Sequence, residues 1–118
     1  MSIQRFESGA LMSQAVVHNK TVYLAGQVSE VPHGKGVAEQ ARDIFVSIDR
    51  LLGLAGTDKT RLLSATVWLT DMGAFEEMNS EWAKWVVKGA TPARATVLSQ
   101  KLAGPDYLIE IGVIAAQP

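Results

Sequence analysis

The run "YLIEIGVIAA", Tyr107 to Ala116, most constrains what this chain can fold into. It is rich in β-branched residues and reads as the strongest strand of the protein. Leu108, Val113 and Ala115 fall on one alternation, with Ile109, Ile111 and Ile114 nearby, so the strand is apolar on both faces toward its end. A strand of that kind must be covered from both sides. The rest of the chain therefore has to supply one covering layer, and something must supply the other.

One layer is legible as two amphipathic helices. From Val37 to Ala55, the residues Val37, Ala41, Ile44, Phe45, Ile48, Leu51, Leu52 and Ala55 recur at helical spacing, while Glu39, Arg42, Asp43, Asp49 and Arg50 lie off that stripe. "GTDKT" ends this helix with a glycine and polar turn residues. Asp71 can cap a second helix, from Gly73 to Lys88, whose stripe is Phe75, Met78, Trp82, Trp85 and Val86. "GATP" stops it, because Gly89 and Pro92 both oppose continuation.

The strands fall around these helices. "AVVHNKTVYLAGQV" reads as two short strands joined at Asn19-Lys20, "EVPHGKG" as a loop, "LLSATVWLTD" as a strand, and Arg94 to Ser99 as another. The predicted order is β-β-α-β-α-β-β: an α+β domain of residues 1–118, with both helices on one face of a mixed sheet of five or six strands. Two helices cover one sheet face only, so the second face calls for self-association.

Composition narrows function. A net charge of −1 argues against a nucleic-acid-binding surface, which carries a basic excess. With no cysteine, disulfides, thiolate catalysis and cysteine-ligated metals are excluded. "MSIQRFESGA" has no signal-peptide core and no run is long and apolar enough to span a membrane, so a soluble cytoplasmic protein is expected. His18 and His33 have no partner at metal-ligand spacing. Ser13, Ser29 and Ser99 lack a nucleophile-elbow context, and no phosphate-binding glycine loop occurs.

The candidates for chemistry are few. Arg94 opens a strand among small residues in "GATPARATV". It is either a strand-edge arginine in water or in an ion pair, or a guanidinium held to clamp a carboxylate bidentately, which arginine does better than lysine. Glu110 sits in "LIEIG". Either alternation sends it to solvent, or it lies in a pocket and positions a water or a proton. Asn79 is a helix residue of ordinary solvated type, and Trp82 and Trp85 fit core positions or a pocket wall.

"TVYLAGQVSE", "GVAEQARDIFVSIDRLLGLAG", "SATVWLTDMGAFEEMNSEWAKWV", "ATPARATV" and "YLIEIGVIAA" together resemble the RidA (YjgF) family over nearly the whole chain, and "EMNSEWAKWVVKG" is most similar to its YoaB-like branch. The resemblance implies a chorismate-mutase-like α+β fold and a homotrimer with sites in the inter-subunit clefts. It also implies hydrolysis of enamines and imines such as 2-aminoacrylate to 2-oxo acids and ammonia, with no cofactor or metal. On this resemblance Arg94 binds the substrate carboxylate, Glu110 positions the attacking water, and Asn79 and the backbone near Thr96 and Gly26-Gln27 line the site. Met12 stands where members often have tyrosine, Ala25 where they have serine, and Thr96 where they have cysteine, which leaves the pocket wall less polar. The alternative is a trimer that binds 2-oxo acids without turnover. A ribonuclease activity, also attributed to the family, is opposed by the charge balance and the single arginine.

Overall fold

The computed structural model describes residues 2–118 and places them in six strands and two helices: β1 (Gln4–Ser8), β2 (Ser13–His18), β3 (Thr21–Leu24), α1 (Val37–Leu54), β4 (Leu62–Leu69), α2 (Phe75–Trp85), β5 (Ala93–Leu98) and β6 (Ile109–Ala116). The strands form one sheet in the order β1-β2-β3-β6-β4-β5. All neighbours are antiparallel except β4 and β5. Both helices pack on one face of this mixed sheet, giving the two-layer α+β sandwich expected from the pattern.

Alternation sorts the strand residues. Ala15, Val17, Val22, Leu24, Ala65, Val67, Leu69, Ile109, Ile111, Val113 and Ala115 are buried toward the helices. In β6 the odd positions alone point inward, and Leu108, just before the strand, packs half-buried against the same core as Val113 and Ala115. Leu108 precedes the strand, so the period of two that sorts residues 109 to 116 does not bind it. The opposite, open face carries Val16, Tyr23, Trp68, Ile114 and Val97, all half-buried or exposed.

The α1 stripe is buried as its spacing predicts, and Gln40 and Ser47 are buried with it. Gln40 is a polar residue in the core because its amide is fully used. It donates to Lys35 O (3.0 Å) and Asp106 O (2.9 Å), and accepts from Leu108 N–H (3.0 Å). Asn19 and Lys20 turn the β2–β3 hairpin with φ of 52° and 61°, a left-handed pair that asparagine tolerates best.

Several boundaries differ from the sequence reading. The chain has a first strand, β1, where "MSIQRFESGA" showed no alternating apolar pattern; hairpin pairing with β2 holds it, with Phe6 opposite Ala15. The order is therefore β-β-β-α-β-α-β-β. Asp71 accepts from Gly73 N–H, but the turn it caps is a 3₁₀ segment, Met72–Ala74, that leads into α2. The second helix stops at Trp85 rather than Lys88. Val86 is extended (ψ 148°), a conformation favoured by its β-branch, and Lys59 Nζ donates to the terminal carbonyl of Trp85 at 2.7 Å. β5 spans Ala93–Leu98, one residue earlier than expected.

Candidate functional site

Arg94 is the second residue of β5, an edge strand, and pairs with Ala65 of β4. Residues paired in a parallel ladder share a face, and Ala65 faces the helices. The Arg94 side chain therefore leaves the sheet on the helix side, where its guanidinium carbon lies 5.0 Å from the ring centre of Trp82 and 5.9 Å from that of Phe75. Among the described residues, its Nη1 is the buried side-chain nitrogen without a hydrogen-bond partner. A buried donor on a cation carries a desolvation cost that an anion placed there would relieve.

Asn79 lies on the helix face that carries these rings. It sits on α2 four residues after Phe75 and three before Trp82, so the three share one helix face. Thr96 pairs with Val67 and stands two residues along β5 on the Arg94 side. A cation and an aromatic wall thus meet at the junction of β5 and α2, with an amide on the same helix face and a hydroxyl on the same strand face.

Glu110 lies elsewhere. It pairs with Trp68 across β6 and β4, and Trp68 is on the open face. Positions 65 and 68 differ by an odd number, so Arg94 and Glu110 leave opposite faces of the sheet. The glutamate rests against Gly26: a Cβ built there would lie 2.0 Å from its Oε2. What favours glycine at 26 is this close approach of a side chain rather than a turn. Gly26 is held in place by Gln27, whose backbone exchanges two hydrogen bonds with Ile111 (2.8 and 3.0 Å) and whose side chain donates to Gln14 Oε1 and Ala25 O. Burial raises the Glu110 carboxyl above the ordinary glutamate range.

Ala25 donates its N–H to Gln14 O, and Met12, half exposed, closes the β1–β2 turn two residues before Gln14. Met12, Ala25, Gly26 and Glu110 therefore belong to the β2-β3-β6 side of the sheet. A shallow cleft of about 190 Å³ on the open face is lined by Gly26, Ser64, Thr66, Trp68, Gly112 and Ile114, among others. A larger hollow, about 500 Å³, between Thr70 and the 100–107 loop touches none of the candidate residues.

The seven candidates fall into two groups. One holds Arg94, Asn79 and Thr96; the other holds Glu110, Gly26, Ala25 and Met12. The sequence placed Phe75 on the helix stripe and Trp82 on that stripe or on a pocket wall, without showing that both meet Arg94; the 75-79-82 spacing was the available signal. His33 and Ser29 have structural partners: His33 Nδ1 lies 3.4 Å from Asp106 at the surface, and buried Ser29 donates to Asp43 at 2.6 Å.

The two-layer α+β sandwich thus carries a cation with an unpartnered donor at one sheet edge and a recessed carboxylate on its open face. Residues 2–117 match the Endoribonuclease L-PSP family. The chain belongs to this family, the one also known as YjgF or RidA. It is 36% identical over 116 residues to the RutC family protein YoaB of Escherichia coli strain K12, covering 98% of this chain and 99% of that protein. It is 36% identical over 110 residues to a 2-iminobutanoate/2-iminopropanoate deaminase of Rattus norvegicus, covering 89% of this chain and 79% of that protein. The crystal structure of a YjgF-family protein from Neisseria meningitidis superimposes with a TM-score of 0.95 at 41% identity, covering 100% of this chain and 97% of that one.

Proposed function

We propose that this protein is an enamine/imine deaminase, hydrolysing 2-aminoacrylate-type intermediates to 2-oxo acids and ammonia in the cytoplasm. We further propose that it acts as a homotrimer, with the Arg94 half-site of one chain facing the Glu110 half-site of another. The single observation that carries this reading is the desolvated, partnerless Arg94 Nη1 at a sheet edge, in a chain related along most of its length to an iminopropanoate deaminase. The opposite faces taken by Arg94 and Glu110 are the reason for invoking two chains.

The chemistry needs little machinery. Arg94 holds the carboxylate of the 2-imino acid through its N–H groups, which fixes the electrophilic C2. An enamine first takes a proton at C3 to become the imine. Water adds to C2 of the protonated imine while Glu110 accepts a proton from it. The carbinolamine then expels ammonia, and the C2–oxygen bond becomes the carbonyl of the 2-oxo acid. Asn79, the backbone near Thr96 and the Gly26-Gln27 segment orient the substrate, and the apolar side chains of Met12 and Ala25 flank it.

The reading is tested by generating 2-aminoacrylate and 2-iminobutyrate in situ and following ammonia release, alongside light scattering, which should give three times the 12.7 kDa chain mass. No acceleration over the spontaneous reaction, with 2-oxobutyrate still binding, would establish instead a non-catalytic binding module. The less polar wall made by Met12, Ala25 and Thr96 is what favours that second reading.

Glu110→Gln should bind 2-oxobutyrate normally but turn over about 100-fold more slowly. The parent rate should fall as pH drops below the raised Glu110 pKa, at a higher pH than an ordinary glutamate would dictate, and the variant should lose this limb. A carboxyl with a raised folded pKa favours the fold when protonated; that contribution is complete below its unfolded pKa and gone above the folded one. At neutral pH Glu110→Gln should therefore leave the unfolding midpoint unchanged or higher.

Gly26→Ala probes the same carboxylate from its neighbour. The new Cβ displaces the flexible end of Glu110 rather than backbone, so the fold should lose only about 1 kcal/mol. Turnover should fall by about 100-fold, the effect of an ångström-scale misplacement. Parental turnover in this variant would show that the Glu110 carboxylate does not need its place on Gly26.

A further inference from the structure

We infer that Trp82, flanked by Phe75, is a positioning residue for the Arg94 guanidinium, acting on carboxylate binding through that cation rather than by touching the ligand. This rests on the assignment of Arg94 as the carboxylate clamp. Three of the other four arginines are oriented by acceptors: Arg42 by Glu81, Arg50 by Glu7, and Arg61 by Gln117 O; the fourth, Arg5, stands on the exposed edge strand β1. Among the described residues Arg94 has no such acceptor, and its Nη1 is buried without a partner. Its strand neighbours Ala93 and Ala95 are small and exposed, so they cannot restrain a side chain with four rotatable bonds. What it does have is ring surface, with Trp82 at 5.0 Å and Phe75 at 5.9 Å.

Trp82 is itself fixed from behind. It meets Phe45 edge-on at 6.1 Å and Trp85 edge-on at 5.5 Å, and those two stack on each other at 4.4 Å with 6° between their planes. Trp85 is anchored in turn through its indole N–H to Asp49, at 3.1 and 3.2 Å. The chain of rings runs from the core of the helix layer to the cation at the sheet edge. Tryptophan is the ring that attracts a cation most strongly, and exclusion of water strengthens the attraction. A guanidinium whose neighbours are ring surfaces is left with its N–H groups as the means of meeting an anion.

The competing role is purely structural: Trp82 is only 7% exposed, and losing it would lower stability whether or not it orients Arg94. The experiment measures 2-oxobutyrate affinity by calorimetry, the unfolding midpoint, and the Arg94 side-chain N–H resonances by ¹⁵N NMR, all well below the unfolding temperature. Trp82→Leu should weaken binding about tenfold and shift the Arg94 resonances, while Trp82→Phe, which restores a ring face, should stay within about threefold of the parent. Trp85→Phe is the control: it keeps a ring against Trp82, loses the bond to Asp49 and does not touch Arg94, so it should lower the midpoint while weakening binding far less than Trp82→Leu. If Trp82→Leu does not fold, Phe75→Leu at a half-buried position decides, with about threefold weaker binding expected. Parental affinity and unmoved resonances in the leucine variant overturn the inference, as does equal weakening by Trp85→Phe. A parent that fails to bind 2-oxobutyrate overturns the clamp assignment itself, and the inference falls with it.

Discussion

Arg94→Ala is expected to lose at least 100-fold in 2-oxobutyrate affinity and to abolish measurable imine hydrolysis, with the assembly and fold retained. The affinity figure follows from removing charge-assisted hydrogen bonds of about 1.5–3 kcal/mol each, and 100-fold corresponds to about 2.8 kcal/mol. The fold should barely respond because two small terms oppose each other. Removing the cation forfeits an attraction to Trp82 and Phe75 of about 1–2 kcal/mol, and it also removes a buried donor that has no acceptor, whose desolvation costs about 1–3 kcal/mol. Arg94→Lys should recover only part of the affinity, since an ammonium keeps the charge but not the planar pair of donors. Calorimetry, ammonia release and light scattering on the same samples separate these effects. A variant that binds 2-oxobutyrate like the parent would rule out the clamp.

Trp85→Ala is expected to destabilise the protein by about 3–5 kcal/mol, the range for removing a large buried aromatic side chain. Trp85 is 8% exposed, stacks on Phe45, and bonds Asp49 through its indole N–H. Lys59 joins it from the other side, 5.4 Å from the ring centre and donating to the Trp85 carbonyl. One substitution thus removes ring packing, a hydrogen bond and a cation contact at the end of α2. Against a total stability of about 5–15 kcal/mol for a domain, the loss should appear as a large drop in the denaturant midpoint. An unchanged midpoint would mean that the rings of the helix layer do not support the fold.

The two halves of the candidate site were not equally legible. "TPAR" and "LIEIG" marked Arg94 and Glu110 as unusual, because each places a charge among small or apolar residues. Gly26 stood out only through the family resemblance, since nothing in "LAGQV" reveals that a glutamate more than eighty residues away rests on its Cα. Gln40 read as one polar residue among several on α1, whereas four backbone groups from two loops converge on its buried amide. β1 was invisible because an exposed edge strand needs no alternating apolar pattern; its partner strand defines it.

The sequence by itself determined the local geometry. Helical spacing set the buried stripe of α1, alternation set the inward residues of β2, β3 and β4, and Asn19-Lys20 set a hairpin turn. Each depends on residues within one or two turns of one another, so each is written in the local order of side chains. Only the tertiary structure decided that β5 runs parallel to β4 with Arg94 beside Ala65, and that β6 runs antiparallel to β4 with Glu110 beside Trp68. A shift of one residue in either register would move a charge to the other face of the sheet. Register depends on the packing of strands far apart in the chain, and it is the reason the cation and the carboxylate leave opposite faces of a single subunit.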